Sequence, residues 1–256
     1  MLIIQKDAVF IADAHHHSLY QNTLDSILRE LLESQSRQIF LIGDIFDFLV
    51  GGVEASINDN AGTLKLLERL SLKHTVYYLE GNHDFLLSKI PYFKNIHCIP
   101  LESQPLCCQF NGKEAYLAHG DIFLNWHYKL FATLLRQKYC IMFLNVFSRI
   151  LYPKIIRYLQ IKNAKKRKNS QDSTFDFVNF AQMRIAKYLK KFPISSDSYI
   201  IEGHFHLGEV AKIQGINYVA LPFFACKKRY FIVECGDNCL SLKGVLKCQA
   251  LKKMIP

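Results

Sequence analysis

Five short stretches carry residue types able to hold and activate metal ions: Asp13-Ala14-His15, Gly43-Asp44, Gly81-Asn82-His83-Asp84, His119-Gly120-Asp121 and His204-Phe205-His206. Carboxylate and amide oxygens mixed with imidazoles suit manganese, iron, zinc or a similar divalent ion rather than a thiolate site. Asp13 and His15, two residues apart at a strand end, can aim at one ion. An aspartate from a neighbouring strand, such as Asp44, can bridge two ions with its two oxygens. Glycines beside these residues permit the turns that would bring the loops together. Each stretch alone is an ordinary polar loop. Five in series, each directly after an apolar run, point to one metal-dependent site.

The elements that must position them are legible from hydrophobic pattern. Apolar runs at Ala8 to Ala12, Gln38 to Ile42, Thr75 to Leu79, Ala115 to Ala118 and Tyr199 to Ile201 each end at one of the five stretches. They read as buried strands. Leu24, Ile27, Leu28, Leu31 and Leu32 follow helical spacing, with Asn22 available as a cap, and Leu64 to Leu70 suggests another helix. Strands alternating with helices imply an α/β layout, in which polar loops at strand ends form the site. After residue 206, runs at Glu209 to Ile213, Asn217 to Leu221, Tyr230 to Glu234 and Cys239 to Leu246 read as antiparallel strands completing a second sheet.

Residues 122 to 171 break the alternation. They hold eleven Lys or Arg and no Asp or Glu, which leaves the rest of the chain with twenty-one bases against twenty-two acids. The net charge of +10 is therefore one segment's property. A local positive field suits anionic lipid, nucleic acid or a phosphorylated substrate. Within the segment, Trp126 to Tyr152 is strongly apolar, and its nearly continuous run, Tyr139 to Ile150, is too short for a membrane span and is broken by Arg149. Lys138, Asn145, Arg149 and Tyr152 fall on one helical stripe, leaving a broad apolar face, and the segment closes on Lys165-Lys166-Arg167-Lys168. A pair of amphipathic helices capping the strand-end loops is the expected form.

Half the residues are hydrophobic, so a disordered chain is excluded and a large core is expected. The eight cysteines include no C-x-x-C pair, which argues against a zinc ribbon. No basic stretch leading into an apolar core opens the chain, so reduced cysteines and a cytosolic setting are expected.

In order, D-x-H, G-D-x-x-D, G-N-H-D, H-G-D and G-H-x-H resemble the calcineurin-like metallophosphoesterase superfamily, over residues 8 to about 221. The resemblance implies a single domain, residues 1–256, built as a β-sandwich flanked by helices, with a helical lid inserted at about 122–170. It also implies two divalent ions. Asp13, His15, Asp44 and His206 would bind the first, and Asp44, Asn82, His119 and His204 the second, with Asp44 bridging. His83 matches the family histidine that contacts the phosphoryl group. Asp47 and Asp121 are candidates to orient ligands. A D-x-H strand end uses one histidine, which leaves His16 and His17 outside the set.

Within the superfamily, G-N-H-D-F-L-L at 81 to 87, the H-G-D loop leading into a basic apolar insertion, and the chain length resemble the UDP-2,3-diacylglucosamine pyrophosphatases of lipid A biosynthesis. That group implies cleavage of a UDP-linked acylated sugar to UMP and 2,3-diacylglucosamine 1-phosphate. It also implies manganese and a peripheral position on the inner face of the cytoplasmic membrane. Arg149 and Lys165, Lys166, Arg167 and Lys168 would then face lipid. The sequence departs from the group at Phe205, where threonine is usual, and at Ile122 to Leu130, so uridine and sugar contacts are not carried over. Rival readings are a nuclease or other phosphodiesterase on the same scaffold, which would bind nucleic acid as the leading reading does not, or a non-catalytic protein-binding member. No obligate protein partner is evident.

Overall fold

The computed structural model describes residues 1–17, 23–124, 126–169, 175–222, 229–233 and 246–250. In chain order the elements begin with β1 (Leu2–Ile3), β2 (Val9–Ile11), α1 (Thr23–Glu33), β3 (Gln38–Ile42), β4 (Leu49–Val50), α2 (Glu54–Asp59), α3 (Ala61–Lys73) and β5 (Thr75–Leu79). There follow β6 (Asp84–Phe85), β7 (His97–Ile99), β8 (Leu106–Phe110), β9 (Lys113–Ala118), α4 (Trp126–Leu135), α5 (Lys138–Val146), α6 (Ser148–Asn169) and α7 (Phe177–Leu189). The last are β10 (Tyr199–Glu202), β11 (Leu207–Ile213), β12 (Ile216–Pro222), β13 (Arg229–Val233) and β14 (Leu246–Ala250).

Among the described residues, twelve strands form two six-stranded sheets, ordered β1-β8-β9-β10-β12-β11 and β14-β13-β2-β3-β5-β7, and β4 pairs with β6 apart from them. Alternation along each strand explains why the sheets stack. In β3, Phe40 and Ile42 enter a core shared with Leu117, Ile201 and Val219 of the other sheet. Ile39 and Leu41 face Leu24, Ile27, Leu28, Leu64 and Leu67 of α1 and α3. On the opposite side Tyr116, Ile200 and Tyr218 pack on Phe177, Ala181, Ile185 and Tyr188 of α7. Burial on both faces is what makes these strands continuous apolar runs. The result is a mixed α/β sandwich flanked by helices. Phe10, Phe40 and Tyr77 stack across neighbouring strands, with ring centres 4.7 and 5.0 Å apart. Each such pair contributes roughly 0.5–1.5 kcal/mol beyond its buried area.

Register then sets the site. Ile11 pairs with Leu41, and Ile42 with Leu79, so the loops after β2, β3 and β5 leave one edge together. Ala118 pairs with Glu202, which brings the loops after β9 and β10 to a common edge of the second sheet.

Two expectations need correction. The strands after residue 206 do not complete one sheet: β11 and β12 are antiparallel partners in one, while β13 joins β2 in the other and pairs with β14. Asn22, Glu234 and residues 239–245 lie outside the described residues. The basic segment contains three helices, not a pair, with a 101° bend between α5 and α6. The bend lets Ile141 and Leu144 pack against Val50, Val53 and Phe85 while Tyr152 meets Phe48. Asn145 adds polar anchors: its amide donates to the Gly52 carbonyl at 2.6 Å and its oxygen accepts Glu54 N–H at 3.1 Å. Among the described residues no single helix is long and apolar enough to cross a membrane.

Candidate metal centre

All five stretches converge. The loop after β2 runs beside the loop after β3, with Asp13 N–H on Gly43 O at 3.1 Å and His15 N–H on Asp44 O at 2.9 Å. The two sheets meet where His204 N–H donates to Asp13 Oδ2 at 2.8 Å and His206 Nε2 lies 3.1 Å from Asp13 Oδ1. His119 Nε2 stands 3.5 Å from Asp44 Oδ1, 3.4 Å from Asn82 Oδ1 and 3.3 Å from His204 Nδ1.

These side chains stand in three overlapping groups whose donor atoms all lie within 4.8 Å of one another: Asp13, His15 and His206; His15, Asp44 and His83; and Asp44, His119 and His204. The donor spacing fits a cation. Four donors placed tetrahedrally about 2.1 Å from an ion are about 3.4 Å apart, which matches the distances around His119 Nε2. Asp44 belongs to two of the groups, which fits a shared ligand between two ions.

Electrostatics points the same way. Burial alone would raise the Asp44 carboxyl, but His119 and His83 hold it well below the usual carboxylate range. Burial would likewise lower the His119 imidazole, yet Asp44 and Asp121 bring it well above the ordinary histidine value. His15 is pushed well down, by burial and then by His83. Carboxylates so placed stabilise positive charge among them.

The backbone is conformationally committed to this arrangement. Asp13, His15, Asp44, His204 and His206 have φ of 52°, 43°, 51°, 66° and 63°. Non-glycine residues in that left-handed region cost of order 1–3 kcal/mol each and gather at functional sites. Close packing also requires two of the glycines. A Cβ at Gly43 would fall on the His119 ring, and one at Gly81 on the Asp44 carboxylate.

Tautomers are fixed by carbonyls, which only accept. His119 Nδ1 donates to Ile42 O at 3.1 Å and His83 Nδ1 to Asp47 O at 2.7 Å, so both Nε2 atoms face the Asp44 carboxylate. Asp47 places Oδ1 3.2 Å from His15 Nδ1. Asp121 does not orient His119 by hydrogen bond; the Ile42 carbonyl takes that nitrogen, and Asp121 Oδ2 accepts the Tyr128 hydroxyl at 2.7 Å. His16 is spent on Thr63, Nε2 to Oγ1 2.8 Å. Arg149 is exposed on α6, and the side chains of Lys165, Lys166, Arg167 and Lys168, in the last turns of that helix, lie outside the described residues.

Asp84 was missed as a separate contributor. Its carboxylate accepts Asp44 N–H at 2.9 Å, Ile45 N–H at 2.6 Å, Gly81 N–H at 3.0 Å and the Tyr78 hydroxyl at 2.5 Å. It staples the Asp44 loop to the G-N-H-D loop. Burial and then Asp44 push its carboxyl up to about 7. Its place at the end of a ligand-bearing loop was the available signal.

Residues 8–208 match the family described as calcineurin-like phosphoesterase. The chain is 27% identical over 211 residues to the UDP-2,3-diacylglucosamine hydrolase of Psychromonas ingrahamii, covering 77% of this chain and 80% of the relative. It is 24% identical over 212 residues to the protein of that name from Histophilus somni, covering 78% and 84%. Against the one from Neisseria meningitidis serogroup A, identity is 36% over 88 residues, or 33% of this chain and 36% of that one.

Proposed function

Because the chain belongs to the calcineurin-like phosphoesterase family and is a metal-dependent hydrolase, we propose that its substrate is UDP-2,3-diacylglucosamine. The products are UMP and 2,3-diacylglucosamine 1-phosphate, on the route to lipid A. The observation that carries this reading is sequence similarity spanning four-fifths of a relative bearing that activity in its name. The basic segment supports it. Trp126, Phe131, Tyr139, Phe143, Val146 and Ile150 are all exposed there, as an acylated substrate and a lipid surface require.

On this reading one domain carries a helical cap at about 122–170. The protein works peripherally on the inner face of the cytoplasmic membrane, where Arg149, Lys165, Lys166, Arg167 and Lys168 would attract anionic lipid. Asp13, His15, Asp44 and His206 would hold one ion, and Asp44, Asn82, His119 and His204 the other, with manganese the metal proposed for both. When bound, such a pair lowers the pKa of water and neutralises phosphate oxygens.

The chain's own residues do the rest. Asp44 is held from both sides, its amide by Asp84 and its Oδ1 by His83 N–H at 2.9 Å. Asp47 orients two histidines at once, His15 through its carboxylate and His83 through its carbonyl. With Nδ1–H fixed on that carbonyl, His83 presents Nε2 to the phosphoryl group. There it is placed for proton transfer with a phosphoryl or leaving oxygen.

The test is to incubate the purified protein with UDP-2,3-diacylglucosamine or a soluble chromogenic diester, with and without Mn2+. The expected result is manganese-dependent release of UMP and the lipid sugar phosphate. Intact UDP-lipid beside salt-sensitive hydrolysis of a nucleic-acid strand would replace this reading with a nuclease.

A further inference from the structure

Helix α7 follows the basic segment, and one of its side chains reaches two of the site loops. Arg184 is 3% exposed and Glu202, at the end of β10, is 0% exposed. The guanidinium grips that carboxylate with Nε on Oε2 at 2.9 Å and Nη2 on Oε1 at 2.5 Å. Tyr188 and Tyr218 hydroxyls donate to the same carboxylate, each at 2.7 Å. Nη2 also donates to the carbonyls of Gly120 at 3.1 Å and Ile122 at 3.3 Å. The guanidinium carbon stands 4.9 Å from the centre of the Phe205 ring, which Phe180 meets edge-on at 4.8 Å.

Arg184 thus touches Gly120, next to His119, and Phe205, between His204 and His206. The two loops meet directly at this point: a Cβ on Gly120, whose φ is 111°, would lie 2.9 Å from Gly203 O. A buried ion pair contributes little net stability compared with apolar packing, so energy alone does not account for one here. A fully hydrogen-bonded network instead fixes a single geometry. Neither His119 nor His204 lies within a helix or strand, and their ring nitrogens stand 3.3 Å apart.

We propose that Arg184 is a positioning residue, setting the separation of His119 and His204 and hence the affinity for the ion they share. The inference rests on the two-ion reading of the site. It gives Phe205 a task as well, as the aromatic face through which Arg184 holds the G-H-x-H loop. Lysine cannot replace the guanidinium here, because one ammonium cannot span carboxylate fork, carbonyls and ring together.

The test uses the whole chain with Arg184→Lys and Phe205→Leu. It measures Mn2+ binding by calorimetry, diester kcat and KM across Mn2+ concentrations, and thermal melting. For Arg184→Lys, affinity for one of the two ions should fall roughly tenfold to a hundredfold, as when groups supporting metal ligands are lost. The other ion should bind normally, kcat should recover at high Mn2+, and KM should hold. Phe205→Leu should shift the same ion less, and it decides alone if Arg184→Lys does not fold. Variants that bind both ions as wild type does, with only melting lowered, or that lose both ions together, overturn the assignment. A wild-type chain binding fewer than two ions overturns the two-ion reading itself.

Discussion

The strand-end loops and the helical segment from 126 to 169 are built on opposite terms. In the loops, Asp13, His15, Asp44 and His119 are buried, tied by hydrogen bonds to the neighbouring site loops, and in several cases left-handed in φ. In the segment, Trp126 is 67% exposed, Tyr139 79% and Val146 71%, although its anchored faces bury Ile141, Tyr152 and Ile156. One region is fixed by its own backbone bonds and left-handed φ values, which is how a preorganised site stabilises developing charge. The other keeps apolar surface uncovered, which suits a surface whose ligand is itself apolar. On the proposed reading, reaction chemistry belongs to the first region and the choice of substrate and surface to the second.

That division can be broken or sharpened by mutation. Asp44→Ala should lower turnover of both the UDP-lipid and a soluble diester by more than about a thousandfold, since in the proposed site one carboxylate would serve both ions. Retention of a tenth of wild-type turnover in a steady-state assay would contradict the shared ligand. His83→Ala should reduce kcat by about a hundredfold or more while elemental analysis still finds the wild-type metal content. Loss of metal instead would make His83 a ligand.

Asp47→Asn should cost roughly tenfold in activity at limiting Mn2+, with recovery as Mn2+ is raised, because it supports His15 without itself being proposed as a ligand. The absence of any Mn2+ dependence in that variant would remove Asp47 from the support of the site. Charge reversal of Lys165, Lys166, Arg167 and Lys168 should leave soluble-diester turnover within about twofold while weakening attachment to anionic vesicles, by on the order of 1 kcal/mol per residue near the surface. Co-sedimentation unchanged by the reversal would remove lipid from that cluster's role.

The two regions were also unequally legible. Asp13, Asp44, Asn82 and His204 announced themselves by residue type and by their place after apolar strands. The convergence needed only that those strands lie in two stacked sheets with their ends at one edge. What could not be read was tertiary: that Ile42 O rather than Asp121 takes the His119 ring nitrogen, and that Asp84 staples two loops through backbone amides. Those partners depend on which loop lies over which. In the segment, composition revealed helices but not their breaks. Gln137, before α5, makes no side-chain cap bond, and an almost unbroken apolar run carries no stop signal. The bend follows from docking against Val50, Val53 and Phe85, residues far away in sequence. Arg184 escaped notice because a single arginine in an amphipathic helix has no local mark of burial.

Metal stoichiometry tests the two-ion site. Elemental analysis of the folded wild-type chain, equilibrated with Mn2+ and freed of unbound ion, should give two ions per chain. A value of one or none under saturating Mn2+ would contradict it.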